Sequence, residues 1–338
     1  LLQQRIAQDA SRLESVSRAL SRARKEALTP NDLKALRRDI GNRISSNAER
    51  VKALEHRSEA SARVVTNSLP AVLFLQGAYG FREISSGRML RHIVSDEGLP
   101  MIDPLGQPLL SLDGNGPVAE RSFTGTGFVT GEDRVLITNR HVALPWENDA
   151  SVEMLKGQGL KPEMIKFIYY VPGVVEAGDV ELILASETAD LAALRFKNKN
   201  GPKKFLTLAA KPPAPGNEVI VMGYPTGLRS MLAQSGEEFI GELREADDTD
   251  FWSVAARLAT NGYIAPLSSR GIVSQLSSAM VVYDAETTHG GSGGPVLDVN
   301  GDVVAVNAAI IPEYGGSNLG IPAARLRDLL KEAGISFD

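Results

Sequence analysis

A mainly-β fold in two lobes, behind a helical N-terminal extension, is what this chain of 338 residues predicts. Three observations carry that expectation. From Leu69 onward, short apolar runs are separated by Gly, Pro and Asn, the pattern of sandwich or barrel strands. Before that point apolar residues recur at helical spacing instead. Lys211-Pro212-Pro213-Ala214-Pro215-Gly216 then interrupts the β-like part, as a linker between lobes would.

At the N-terminus, Ile6, Leu13, Leu20 and Ala27 recur every seven residues, with Leu2, Val16 and Ala23 near the intervening positions. Such a seam buries one stripe against a partner helix. Thr29-Pro30-Asn31-Asp32 marks a break and restart, with Thr29 as N-cap, Pro30 at the first helical position and Asp32 closing a capping-box-like pair. Leu33, Leu36, Ile40, Ile44, Val51 and Leu54 then share one face of a second helix. A helical hairpin over 1–68, a coiled coil between chains, and an arm packed on the neighbouring domain all fit. The seam can therefore serve a second copy or a partner protein. Residues 69–121 are expected to form a connecting segment that packs on the β-rich region 122–338.

Strand-like runs occupy 71–75, 127–130, 135–138, 167–171, 180–185 and 191–196, and then 219–222, 280–283, 295–298 and 303–308. Two lobes of about 122–210 and 217–321 result, closed by a helix over 322–334 with Leu326, Leu329 and Leu330 inward.

Composition excludes several functions. A hydrophobic share of 43% against 23% charged residues is enough for a packed core. With no cysteine there is no disulfide, thiolate nucleophile or cysteine-held metal, and only four histidines (His56, His92, His141, His289) remain as bases. No metal or cofactor is expected. The net charge of −5 divides into +6 over residues 1–66 and −11 over the rest. The basic residues of the arm are interleaved with acids, which favours a solvated helix face over a nucleic-acid surface. The longest uncharged stretch, 64–81, is interrupted by Asn67, Pro70, Gln76 and Gly77, and its continuous apolar part is too short to cross a bilayer. Because the chain starts at Leu1, any signal or anchor is expected upstream of it.

Three segments carry chemistry: Thr138-Asn139-Arg140-His141-Val142, Ala189-Asp190-Leu191-Ala192 and Gly290-Gly291-Ser292-Gly293-Gly294-Pro295. A serine hydroxyl is a poor nucleophile near neutral pH and needs a base, and an imidazole backed by a carboxylate is such a base. His141 ends an apolar strand and Asp190 begins another, so both have rigid support. Glycines around Ser292 let the backbone turn, expose Oγ, and free the N–H groups of Gly290 and Ser292 to face one spot. Each such donor to an oxyanion is worth roughly 3–4 kcal/mol. The order His…Asp…Ser is one of the known triad orders.

These segments, with Thr124-Gly125-Thr126-Gly127-Phe128-Val129, Val221-Met222-Gly223-Tyr224-Pro225-Thr226-Gly227, Gly271-Ile272-Val273-Ser274, Asp284-Ala285 and Asn318-Leu319-Gly320-Ile321-Pro322, resemble trypsin-like serine proteases of the chymotrypsin fold, in particular the HtrA/DegP-type branch of bacteria. The resemblance covers residues from about 122 to 330. It implies two six-stranded β-barrels with the active site between them, and a protein or peptide substrate. His141 would be the base, Asp190 its orienting acid and Ser292 the nucleophile, with Gly290 and Ser292 N–H as the oxyanion hole. The branch also suggests an extracytoplasmic, periplasmic location, tethered by an anchor ahead of Leu1.

Three departures stand out. Gly291 replaces the Asp or Asn that relatives carry before the nucleophile, so activation by a newly cut N-terminus is not expected. No PDZ domain is expected after the protease. Residues 228–270 form an insertion where the branch has a short loop, serving either as a regulator of the site or as a surface decoration. For substrate binding, Glu286 six residues before Ser292 would favour basic side chains. Thr287, with Ala308, Ala309 and Ile310, would favour small or aliphatic ones, and His289 would lie at the rim. Beside the endopeptidase stand two other readings, a dormant protease-like binding scaffold and a signalling protease switched on by a partner.

Overall fold

The structure, a computed structural model, describes residues 38, 60–197, 201–246, 248–287, 290–311 and 317–337. The chain divides into two compact units, Leu1–Glu59 and Ala60–Asp338. Only Arg38, in helical conformation, is described in the first. The expected hairpin or coiled coil over 1–68 therefore lies outside the described residues, apart from a helical stretch at 60–68 that buries Val64 in the second unit.

The second unit begins with β1 (Val72–Glu83), continues through a short pair, β2 (Arg91–His92) and β3 (Leu110–Ser111), and then β4 (Arg121–Thr130), β5 (Val135–Thr138), β6 (Leu160–Tyr170), β7 (Gly178–Ala185) and β8 (Ala192–Phe196). Six of these close an antiparallel barrel in the order β1-β4-β5-β8-β7-β6. The next six, β9 (Glu218–Gly223), β10 (Leu267–Leu276), β11 (Val281–Tyr283), β12 (Pro295–Leu297), β13 (Val303–Ile311) and β14 (Ser317–Pro322), close a second. Two six-stranded barrels of the chymotrypsin kind are thus present. One boundary differs from expectation. Val72–Glu83 falls in the segment expected to connect and pack on the β-rich region; extending the strand-like run at 71–75, it pairs with both β4 and β6 and closes the first barrel.

The continuous apolar runs have a physical cause. Successive strand residues face opposite sides, so a run is apolar throughout only when both sides are buried. In β1, Leu73 and Leu75 point into the first barrel with Leu136, Tyr169 and Leu194. Val72 and Phe74 face a different core shared with Ile220, Met222 and Tyr224 of the second barrel. Val219, Val221, Val281, Tyr283 and Val296 fill the second barrel itself. The linker side of the molecule adds hydrogen bonds to both barrels: Leu206 N–H donates to Val129 and Ala209 N–H to Val303, at 2.8 and 2.9 Å.

Short helices α1 (Arg140–Ala143) and α2 (Val152–Gly157) belong to the first barrel's loops. The 228–270 insertion supplies α3 (Leu228–Glu245), broken at Gly236 (φ 85°, ψ 166°), and α4 (Phe251–Thr260). Asp250 caps α4 by accepting from the N–H groups of Trp252 and Ser253 at 2.9 and 3.2 Å. Met231, Phe239, Leu243, Val254, Ala255 and Leu258 are buried in the core that both barrels share. Gln76 of β1 donates to the Phe251 carbonyl at 2.6 Å, and Lys166 of β6 lies 4.2 Å from the Trp252 ring centroid. The insertion is therefore core structure and not a surface decoration. The closing helix, α5, runs Ala323–Glu332, with Leu326, Leu329 and Leu330 buried and Pro322 as its N-cap. Among the described residues no helix is long and apolar enough to cross a membrane.

Candidate active site

The first barrel brings a histidine and an aspartate into contact. All four residues of β5 are buried, and Asn139 turns the chain from it into α1. The buried Asn139 amide donates to the Asp190 carbonyl at 2.7 Å, which ties the end of β5 to the start of β8. The Asp190 carboxylate then meets His141 twice. One oxygen accepts the His141 backbone N–H at 3.0 Å, and the other lies 2.7 Å from Nδ1. With Nδ1 as donor to a carboxylate, the neutral tautomer leaves Nε2 as a bare acceptor, the form a general base needs. The two side chains are about one-third exposed (30% and 34%), so the pair is open on one side. Arg140 is held away by two bonds to Glu147, at 2.7 and 2.6 Å, and by the Ser186 carbonyl at 2.7 Å. The Glu147 carboxylate raises the guanidinium's pKa above its ordinary value.

The second barrel presents the hydroxyl. Ser292 is half-buried between buried glycines, in the turn before β12. Gly293 has φ 87°, and a Cβ there would stand 2.2 Å from the Thr126 carbonyl and 2.3 Å from Thr138 Oγ1. That contact places the loop against the end of β5, three residues before His141. Gly290 has φ 95°, and a Cβ there would stand 2.6 Å from the Tyr224 carbonyl and 2.9 Å from Gly227 N. Among the described residues neither the Gly290 nor the Ser292 N–H has a hydrogen-bond partner. Ser292 Oγ donates to the Ala308 carbonyl at 3.2 Å, and no bond joins it to His141.

The expected substrate-binding residues separate. Ala308 lies beside Ser292. Thr287 accepts from Asn307 at 3.4 Å, and with exposed Glu286 it lines a cavity of about 230 Å³ reached by Val221, Gly223, Leu267 and Ser269. Ala308 does not line that cavity. His289 lies outside the described residues, as do the side chains of Ala309 and Ile310. Two residues without an expected role sit at the heart of the site. Thr126 and Asn307 both bond to the 290–292 backbone. Among the described residues no cluster of His, Asp and Glu is arranged to hold a metal.

The model of the trypsin-like peptidase domain matches residues 125–306, more than half of the chain. The chain belongs to the trypsin-like peptidase domain family. Its similarity extends to serine proteases of the HtrA/DegP type. It is 28% identical over 253 residues to the "Probable periplasmic serine endoprotease DegP-like" of Brucella suis biovar 1, covering 71% of this chain and 39% of that protein. With the serine protease HTRA1 of Xenopus tropicalis it shares 23% over 217 residues, 62% of this chain and 36% of the other. The chain thus spans under two-fifths of the length of these curated relatives. Among solved structures, the active form of the Rv3671c protease from M. tuberculosis matches 81% of this chain and 85% of its own, at 18% identity and a TM-score of 0.46.

Proposed function

We propose that this trypsin-like peptidase is a serine endopeptidase with His141 as general base, Asp190 as its orienting acid and Ser292 as nucleophile. The observation that carries the reading is the doubly hydrogen-bonded His141–Asp190 pair, set against a serine loop whose Gly290 and Ser292 N–H groups are unpaired among the described residues. Ser292 Oγ attacks a peptide carbonyl while His141 Nε2 takes its proton. The carbonyl oxygen becomes an oxyanion received by the Gly290 and Ser292 N–H groups. The proton then passes to the departing amine as the C–N bond breaks. Water attacks the acyl-enzyme by the same route in reverse, and the chemistry requires no metal or organic cofactor.

The substrate is a protein or peptide. Ala308, beside the nucleophile, and Thr287, bonded to the adjacent Asn307, are the described positions that meet the residue preceding the scissile bond. The periplasmic name of bacterial relatives supports an extracytoplasmic location. One observation favours a second reading, a protease at rest until a partner engages it: Ser292 Oγ is bonded to Ala308 and not to His141.

Treatment with a fluorophosphonate tests the assignment, because only an activated serine displaces the fluoride. A single adduct by intact mass on wild type, absent from Ser292→Ala, is expected. Equal labelling of both proteins, or of neither, overturns it.

A further inference from the structure

We propose that Thr126 and Asn307 are positioning residues that hold the oxyanion loop with its donors outward, one from each barrel. The inference rests on the hydrolase reading above. Gly291 has no side chain to anchor the loop, so the loop's geometry must be set by what binds its carbonyls. Two successive carbonyls are held by side-chain donors. The Thr126 hydroxyl donates to Gly290 O at 2.7 Å, and the Asn307 amide donates to Gly291 O at 2.8 Å. In a planar trans peptide the C=O and the following N–H point in opposite directions. Drawing Gly291 O towards Asn307 therefore aims the Ser292 N–H the other way. Fixing Gly290 O towards Thr126 acts less directly: it holds the carbonyl side of Gly290, whose own N–H, in the preceding peptide plane, is the second donor.

Both latches are themselves locked. Thr126 is fully buried. Its hydroxyl accepts from Tyr224 N–H at 2.9 Å, its N–H donates to Ser292 O at 3.0 Å, and its carbonyl accepts from Thr138 at 2.7 Å. Asn307 is 2% exposed and accepts from the Tyr283 hydroxyl at 2.6 Å. That bond fixes which end of the amide faces Gly291. Burial pushes the Tyr283 phenol far above its ordinary pKa, so it remains a donor across the working range. Asn307 N–H and C=O also pair with Gly294 and Gly293, at 2.9 and 2.8 Å. The same two residues thus bind the loop from both sides, while Ser292 Oγ is bonded to Ala308 instead.

The test compares Thr126→Val, which keeps the shape and loses the hydroxyl, with Thr126→Ser, which restores it. Asn307→Ala carries the same test from the other barrel should Thr126→Val not fold. For a peptide substrate, Thr126→Val and Asn307→Ala are expected to lower kcat by about 10–100-fold, below the loss for deleting a donor outright, with KM within about threefold. Thr126→Ser should recover most of the rate, and a crystal structure of Thr126→Val should show Gly290 O turned away. A folded Thr126→Val with unchanged kcat, a loss confined to KM, or no recovery by Ser overturns the latch. If wild type neither cleaves nor labels, the hydrolase reading fails instead. The crystal comparison then decides the latch by itself, with an unmoved Gly290 carbonyl sinking it.

Discussion

The two barrels reach the same site by different means. In the first, His141 and Asp190 stand at the ends of neighbouring strands, and strand pairing plus Asn139 brings them together. The strand residues nearest them, Ile137, Thr138, Ala192 and Ala193, are fully buried, so the pair inherits the rigidity of the core. In the second, Ser292 sits in a turn with positive φ on both sides, and its geometry depends on individual hydrogen bonds from Thr126, Asn307 and Gly294. One half of the site is built by packing, the other by latching. On the proposed roles, the His141–Asp190 half should tolerate nearby change and fail by chemistry, whereas the Ser292 half should fail by conformation.

The largest effect is expected in the packed half. Asp190→Asn keeps the shape but inverts the hydrogen bond that sets the His141 tautomer. A kcat loss of about 10⁴-fold is expected, with a thermal melt close to wild type. A comparable loss of stability would mean that the pair is structural as much as chemical. In the latched half, Gly293→Ala places a methyl group against the Thr126 carbonyl at a φ that disfavours alanine. A loss of about 2–5 kcal/mol in denaturant unfolding is expected, and an unaffected midpoint would show that the loop relaxes freely. The smallest effect concerns the insertion. Asp250→Ala removes the α4 cap and should cost about 1 kcal/mol near neutral pH. Hydrogen bonds from Ser253 and Trp252 hold the Asp250 carboxyl below its ordinary value of 3.8. Its contribution is therefore present above that pH and lost as pH falls through the lower, folded value. Wild type and variant should converge in acid, and a gap that persists there would point to lost packing instead.

Much of this was legible in the sequence, and what was not has physical reasons. Runs such as Val135–Thr138 and Glu218–Gly223 declare themselves because both of their faces are buried. β10 does not, since Ser, Arg and Gln alternate along a mostly exposed strand, and β14 hides behind Asn, Gly and Pro. The sequence positions proposed for the triad stood out because each chemical group needs characteristic neighbours. Thr126 and Asn307 gave no such signal. Their partners lie 164 and 16 residues away, and a buried threonine or asparagine in a strand is read as ordinary packing. The burial of Phe239 and Leu258 in the insertion likewise depends on a surface formed by residues such as Phe74 and Tyr224, far off in sequence.

The chain holds two tryptophans. Trp146 stands edge-on to Tyr79 in the first barrel, 5.7 Å between ring centroids. Trp252 opens α4 beneath the ammonium group of Lys166. A Trp146→Phe variant would therefore leave a single indole at the seam between insertion and barrel, with a cation over its face. Its emission colour would report, without any added dye, whether that seam is shut or parted while substrate turns over.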